Sequence, residues 1–207
     1  MKNLIKTANY VSFKTKLGEF LANVYVNETT KKEHIVLFKG NIINKKNILT
    51  RIHSCCITSE VLHNTNCECQ EQLDKALKEI QKTNGLLLYM DQEGRGIGLG
   101  PKLRAYELQD KGLNSAEANI AVGSKIDERE YCDAIEILED LNIASINLLT
   151  NNPDKVNQLK NAGITVSKVT PHVIQDDKFR KYYEMKNHKL VHHLDISKFF
   201  SNKPQTA

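Results

Sequence analysis

The sequence predicts a mixed α/β fold of the α+β kind, β-rich first and then alternating helix with strand. Two observations predict it. Over residues 8–55 apolar side chains recur with the period of two expected of half-buried strands, and from about residue 71 the period lengthens to that of an amphipathic helix. No internal repeat or low-complexity stretch interrupts the 207 residues, so one domain spanning 1–207 is expected, with a helical and partly loose tail from about residue 177.

The elements follow in order. Tyr10–Phe13 and Phe20–Val26 alternate and flank a turn at Lys16–Glu19; His34–Phe38 is a third strand and Ile48–Thr50 a short fourth, which leads into Arg51-Ile52-His53-Ser54. Leu73, Leu77 and Ile80 mark a helix over about Glu71–Lys82, closed by Asn84-Gly85 before the apolar strand Leu86–Met90. A glycine-rich segment, Gly94–Gly100, precedes a helix whose first residue is expected to be Pro101 and which stops near Gly112. Helices are expected at Ala116–Val122 and Glu130–Leu141, a strand at Ile146–Leu149, a helix from Pro153 to Gly163, a strand at Ile164–Val166 and a helical tail from Asp176 to about Leu194.

Composition excludes several classes. Apolar residues make up 40% and charged ones 26%, ordinary for a protein with a sizeable core. No apolar run approaches the roughly 20 residues of a membrane span, and Met1-Lys2-Asn3-Leu4-Ile5-Lys6 turns polar before a signal segment can form. A cytoplasmic protein with no membrane partner is expected. The net charge of +4 is too small to mark a nucleic-acid binder.

Four of the five cysteines, Cys55, Cys56, Cys67 and Cys69, fall within fifteen residues. In a reducing compartment such clustering favours metal or catalysis over disulfides, with buried free thiols as the alternative. Cys56, Cys67 and Cys69 give Cys-x10-Cys-x-Cys, three thiols suited to zinc with a fourth position open, the pattern of a catalytic rather than a structural site. Cys55 and His53 are the alternative fourth ligands.

Two further segments could face an anion. Asp91–Gly100 follows a strand and opens a helix, but it lacks both the dinucleotide fingerprint and the Gly-Lys-Ser/Thr of a P-loop. It carries Glu93, able to accept from a base edge, and Arg95, able to fork onto a phosphate; a glycine turn with a surface ion pair is the plainer alternative. In Leu149-Thr150-Asn151-Asn152-Pro153-Asp154-Lys155 a strand runs into a helix start, with Asn152 placed as N-cap, Pro153 as first residue, and free N–H groups able to face phosphate. Asp127-Glu128-Arg129 reads by itself as a solvated charged face.

Taken in order, Arg51-Ile52-His53-Ser54-Cys55-Cys56, Cys67-Glu68-Cys69, Gln92–Leu99, Asp127-Glu128-Arg129 and Leu148–Pro153 resemble GTP cyclohydrolase II of riboflavin biosynthesis, over roughly residues 8–194. The resemblance implies that GTP loses C8 as formate and its terminal phosphates as pyrophosphate, after attack on C8 of guanine by water activated at zinc. It implies Cys56, Cys67 and Cys69 as zinc ligands, magnesium at the triphosphate, and GTP contacts at Arg51, Ile52, His53, Ser54, Cys55, Gln72, Glu93, Gly94, Arg95, Ser115, Thr150 and Lys155. Tyr106 falls at a conformational or proton-donating position, and Asp127 and Arg129 at the base and nucleophile for attack on the α-phosphorus. A guanidinium is effectively never deprotonated, so Arg129 is expected to be catalytic with its role open between nucleophile and electrostatic stabiliser. A homodimer is implied, and the length is that of the family's stand-alone form without a fused dihydroxybutanone-phosphate synthase domain.

The sequence departs from the family's usual pattern at five positions. Cys55 stands where an acidic residue is usual, Asn66 and Asp91 where Arg is usual, Gln70 for Gly and Ser115 for Thr. The departures raise two alternatives: a divergent homologue that retains the formyl group or serves a specialised pathway, and, outside enzymes, a structural zinc module binding nucleic acid.

Overall fold

The structure, a computed structural model, describes residues 3–180, 183, 184, 187 and 195–200. Seven strands form one sheet: β1 (Leu4–Thr15), β2 (Gly18–Asn27), β3 (Glu33–Lys39), β4 (Ile48–Ser54), β5 (Gly85–Met90), β6 (Ile146–Leu149) and β7 (Val166–Thr170). Their spatial order is β1-β2-β3-β5-β4-β6-β7. The first three strands and β5 pair antiparallel, while β5, β4, β6 and β7 run parallel.

Six α-helices connect the strands: α1 (Ile57–Glu60), α2 (Cys69–Thr83), α3 (Leu99–Asp110), α4 (Ser115–Ala121), α5 (Cys132–Asp140) and α6 (Pro153–Asn161). Alternation in β5 explains the layering. Leu86, Leu88 and Met90 face the main core with Ile52, Ala134, Ile137, Leu138 and Leu159, so α5 and α6 cover that side. Leu87 faces the opposite core with Ala76, Leu77 and Ile80, so α2 covers the other.

From β4 the chain moves to one side through α2 into β5. It then crosses over to β6 on the other side of β4. Neighbouring crossovers thus diverge at the carboxyl end of β4, the place where open parallel sheets leave a crevice for ligands.

Several boundaries differ from the sequence expectation. The fourth strand continues through Ser54, because Arg51–Ser54 pair with Leu87–Met90 of β5. The four-residue α1 was not foreseen; its first N–H is capped from outside by Glu93. Pro101 is the third rather than the first residue of α3, since Gly98 takes the cap. Proline is tolerated there because first-turn N–H groups have no intrahelical acceptor. The last strand starts at Val166 rather than Ile164, because the Ile164 N–H still bonds Leu159 O at the end of α6.

Much of the expected helical tail lies outside the described residues; what is described is a 3-10 turn at Asp177–Phe179, helical backbone at 183, 184 and 187, and a 3-10 turn at Ile196–Lys198. Its described part is not loose: Phe179, Tyr183 and Phe200 are buried with Val173 in a third apolar cluster.

Asn152 caps α6 as its position predicts, its side chain accepting from the N–H groups of Asp154 and Lys155. Asn152→Ala should cost about 1 kcal/mol in urea unfolding, and Asn152→Ser only a few tenths.

Candidate functional site

Three parallel strands end side by side. β4 delivers Arg51–Ser54, β5 leads into Gln92–Arg95, and β6 leads into Thr150–Asn152. Their ends open into a cleft walled on the far side by α3 and α4. Every site residue expected from the sequence lines this cleft except Asp127.

The three thiols converge. Cys56 ends the stretch after β4, and Cys69 is the first residue of α2. The sulfurs of Cys56, Cys67 and Cys69 all lie within 4.8 Å of one another, with 3.7 Å between Cys56 and Cys67. Tetrahedral zinc with sulfurs ~2.3 Å away places them roughly 3.8 Å apart, so the trio fits that ion.

Its protonation points the same way. Hydrogen bonds from the Cys67 and Cys69 thiols, helped by the Lys102 ammonium, hold the Cys56 thiol far below its ordinary range against the effect of burial. Cys67 and Cys69 are pushed up, chiefly by their bonds to Cys56. A divalent ion would let all three sulfurs ionise.

Neither alternative fourth ligand joins them. The Cys55 thiol points to Asp91 at 3.9 Å, pushed up to about 12 mainly by burial. His53 Nε2 bonds Glu60 Oε1 at 2.7 Å, its ring stacks on Tyr89, and burial lowers its pKa, so it is neutral at pH 7.

Lys102, which sequence reasoning missed, joins the metal trio to the glycine segment. Its ammonium donates to Cys56 Sγ at 3.0 Å, Thr58 Oγ1 at 2.8 Å and Glu93 Oε1 at 2.7 Å. Burial opposes its charge, but Glu93 and Cys56 outweigh burial and hold it above the usual lysine range. A signal existed: Lys102 and Tyr106 are i, i+4 on one helix and share a face. Glu93 accepts also from the N–H groups of Ile57 and Gly94, so it positions backbone while its carboxylate lines the cleft.

The glycine segment is a tight turn against Asp127–Arg129. Gly96 has φ +93°, and a Cβ there would lie 2.8 Å from Glu128 O. The Glu128 N–H donates to Arg95 O across this approach. Arg95 in turn reaches Ser115 Oγ at 3.4 Å.

The other end of the cleft is cationic. Arg51 is buried, donating to Leu149 O at 3.0 Å and Gln72 Oε1 at 2.7 Å; burial draws its pKa down to about 10, so it stays charged. Lys155 is 3% exposed and donates to Ile52 O at 2.7 Å, with its ammonium 5.2 Å from the centre of the Tyr131 ring. Thr150 is buried and accepts from the Asn152 N–H. Arg129 faces the cleft while Asp127 stands behind it, both carboxylate oxygens bonded to the guanidinium. Burial raises the Asp127 pKa, but the Arg129 contacts more than offset it, so the carboxylate is ionised. Tyr106 OH lies 3.5 Å from Thr58 Oγ1, and burial, the largest influence, raises its pKa.

Of the five departures, Cys55, Asn66 and Ser115 line the cleft, while Gln70 and Asp91 do not. Gln70 bonds Asp74 within α2, and Asp91 is exposed to solvent.

Residues 6–171 match the family model described as GTP cyclohydrolase II. A GTP cyclohydrolase-2 of Buchnera aphidicola subsp. Baizongia pistaciae is 46% identical over 185 residues, 88% of this chain and 93% of the relative. One from Picrophilus torridus is 42% identical over 180 residues, 86% and 93% of the two chains. The riboflavin biosynthesis protein RibBA of Endomicrobium trichonymphae is 42% identical over 186 residues, 89% of this chain but 46% of that longer relative, so the chain spans about half its length.

Only three thiols converge, which makes the metal site testable by substitution. Cys56→Ser, Cys67→Ser and Cys69→Ser should each strip bound zinc, measured by atomic emission, whereas Cys55→Ser and Cys132→Ser should keep the wild-type stoichiometry.

Proposed function

Because the chain belongs to the GTP cyclohydrolase II family, we propose that its cleft opens the imidazole ring of GTP, releasing C8 as formate and the terminal phosphates as pyrophosphate, the first step of riboflavin biosynthesis. The observation that carries this reading is one cleft with a three-thiol cluster at one end and buried cations at the other.

Cys56, Cys67 and Cys69 would hold zinc, which supplies Lewis acidity and an acidified water there. The chain's own residues do the rest. Arg51, Arg95, Arg129 and Lys155 receive the triphosphate; Lys102 is neutralised by Glu93 and contributes little to that charge. Ile52, His53, Ser54, Cys55, Gly94, Ser115 and Thr150 line the nucleoside and phosphate contacts. Tyr106, its hydroxyl kept protonated by burial, fits a proton donor. Gln72 holds Arg51 in place.

Arg129 acts as a fixed cation at the α-phosphorus, not as a nucleophile. Asp127 accepts from the guanidinium through both carboxylate oxygens, a bidentate contact that favours the charged form of a group already effectively never deprotonated. We place magnesium on the triphosphate, because it keeps several waters and is usually bound through substrate phosphates with one or two carboxylates.

A nucleic-acid module fits poorly, since the cations converge inside a cleft rather than spread over a surface. No helix among the described residues is long and apolar enough to cross a membrane. We place the protein in the cytoplasm as a homodimer. The dimer is supported by exposed Ile5, Tyr10, Val11 and Phe13 on edge strand β1.

Incubated with GTP, zinc and magnesium, the chain should release formate and pyrophosphate in equal amounts. A product retaining the formyl group by mass would overturn the full reaction in favour of a truncated one. Arg129→Met should lower pyrophosphate release by about 10²–10³-fold. A covalent phospho-Arg129 adduct would overturn its electrostatic role.

A further inference from the structure

The family match ends at residue 171, yet the chain beyond it reaches back to the metal loop. Asn151 and His172 exchange a reciprocal pair of hydrogen bonds, His172 Nε2 donates to Gln72 O at 2.9 Å, and Lys75 Nζ donates to Val173 O at 2.9 Å. These bonds lay the segment along α2. Val173, Phe179, Tyr183 and Phe200 then close an apolar cluster, with the Tyr183 and Phe200 ring centres 5.8 Å apart.

Within that cluster Tyr183 is 1% exposed, and its hydroxyl accepts the Ile174 N–H at 2.9 Å and donates to the Glu68 carboxylate. Glu68 sits between the two ligands of the Cys-x-Cys pair and is itself 1% exposed. A carboxylate that deep beside sulfurs that become thiolates is costly unless donors hold it. The Tyr183 hydroxyl reaches it from the tail, and Gln72 Nε2 donates to its Oε1 at 2.8 Å from α2. Gln72 passes the connection on, because its Oε1 takes the Arg51 guanidinium at 2.7 Å.

The geometry points to Tyr183 as a positioning residue for both ends of the cleft: through Glu68 it fixes the backbone that presents Cys67 and Cys69, and through Gln72 it fixes Arg51. The metal half of this inference stands on the thiol geometry alone; the nucleotide half rests on the GTP reading. The C-terminal segment is thereby part of the site's architecture.

The test compares the zinc-loaded full chain with Tyr183→Phe, Phe179→Leu, Glu68→Gln and the Tyr183→Phe/Glu68→Gln double variant, following zinc release to a chromogenic chelator. Tyr183→Phe removes one hydrogen bond to a charged group and should speed release about fivefold. Phe179→Leu, which disturbs the same apolar cluster without touching Glu68, should release zinc at the wild-type rate. In the Glu68→Gln background the Tyr183 substitution should add less than about a twofold change, because the charge that the hydroxyl serves is gone. With GTP, Tyr183→Phe should raise KM several-fold while kcat stays within about twofold, the split expected when Arg51 binds loosely but the chemistry is intact.

Wild-type release from Tyr183→Phe, or equal acceleration by Phe179→Leu, overturns the proposal. A wild-type chain that turns over no GTP would overturn the reaction reading, and zinc release would still decide this one.

Discussion

Arg51 is the buried charge around which the cleft is organised. A guanidinium at 8% exposure must be compensated, and the fold compensates it from two elements at once: a carbonyl at the end of β6, and at the start of α2 the Gln72 amide with the negative field of Glu68 and the Cys69 sulfur. Its Nε has no partner. A cation satisfied only in part, at the diverging end of a parallel sheet, is a standing attraction for an anionic ligand. The same bonds tie β4, β6 and α2 together, so the cationic end of the cleft is built before any ligand arrives.

The metal end is tied to the same frame by a different device. Glu93 caps α1 at Ile57, immediately after Cys56, and also holds Lys102, whose ammonium reaches the Cys56 sulfur. The loop after β5 therefore positions one of the three converging thiols on the loop after β4. Gly96 lets that loop press against Asp127–Arg129, so a displacement of the turn is felt at both ends of the cleft. This coupling is mechanical: short bonds between backbone and side chains of neighbouring strand ends, with no long-range path required.

Much of this was legible in the sequence, for identifiable reasons. Period-two and helical patterns located the strands and the longer helices because those elements bury one face, and Asn152-Pro153 announced a helix start through local chemistry alone. The convergence of the three thiols was legible because thiols are rare and their spacing is informative. What stayed hidden depends on contacts between distant segments. The four-residue α1 has no period to read, and its cap comes from Glu93, thirty-odd residues away. Lys102 looked like any helical lysine until folding placed it on a sulfur. The buried Tyr183 lay in a stretch read as helical, but its contact with Glu68 joins segments more than a hundred residues apart and has no local signal. Asp127 and Arg129 read as a solvated charged face, and only the family resemblance pointed to them.

The departures from the family pattern make physical sense when their positions are taken together. Cys55 and Asp91 are in contact, the thiol donating to the carboxylate at 3.9 Å, so the two departures act together. The pair's charge moves by one unit rather than two, on the side of Asp91 that faces water, where high dielectric and salt weaken its reach into the cleft. Gln70 is absorbed by a hydrogen bond within α2, and Ser115 keeps the hydroxyl that meets Arg95. Asn66 remains as the one lost cation that lines the cleft, at an exposed position beside Cys67. Its loss weakens attraction at the rim while Arg51, Arg95, Arg129 and Lys155 persist deeper in. Affinity for an anionic substrate is therefore more exposed to this sequence's divergence than is the chemistry performed on it.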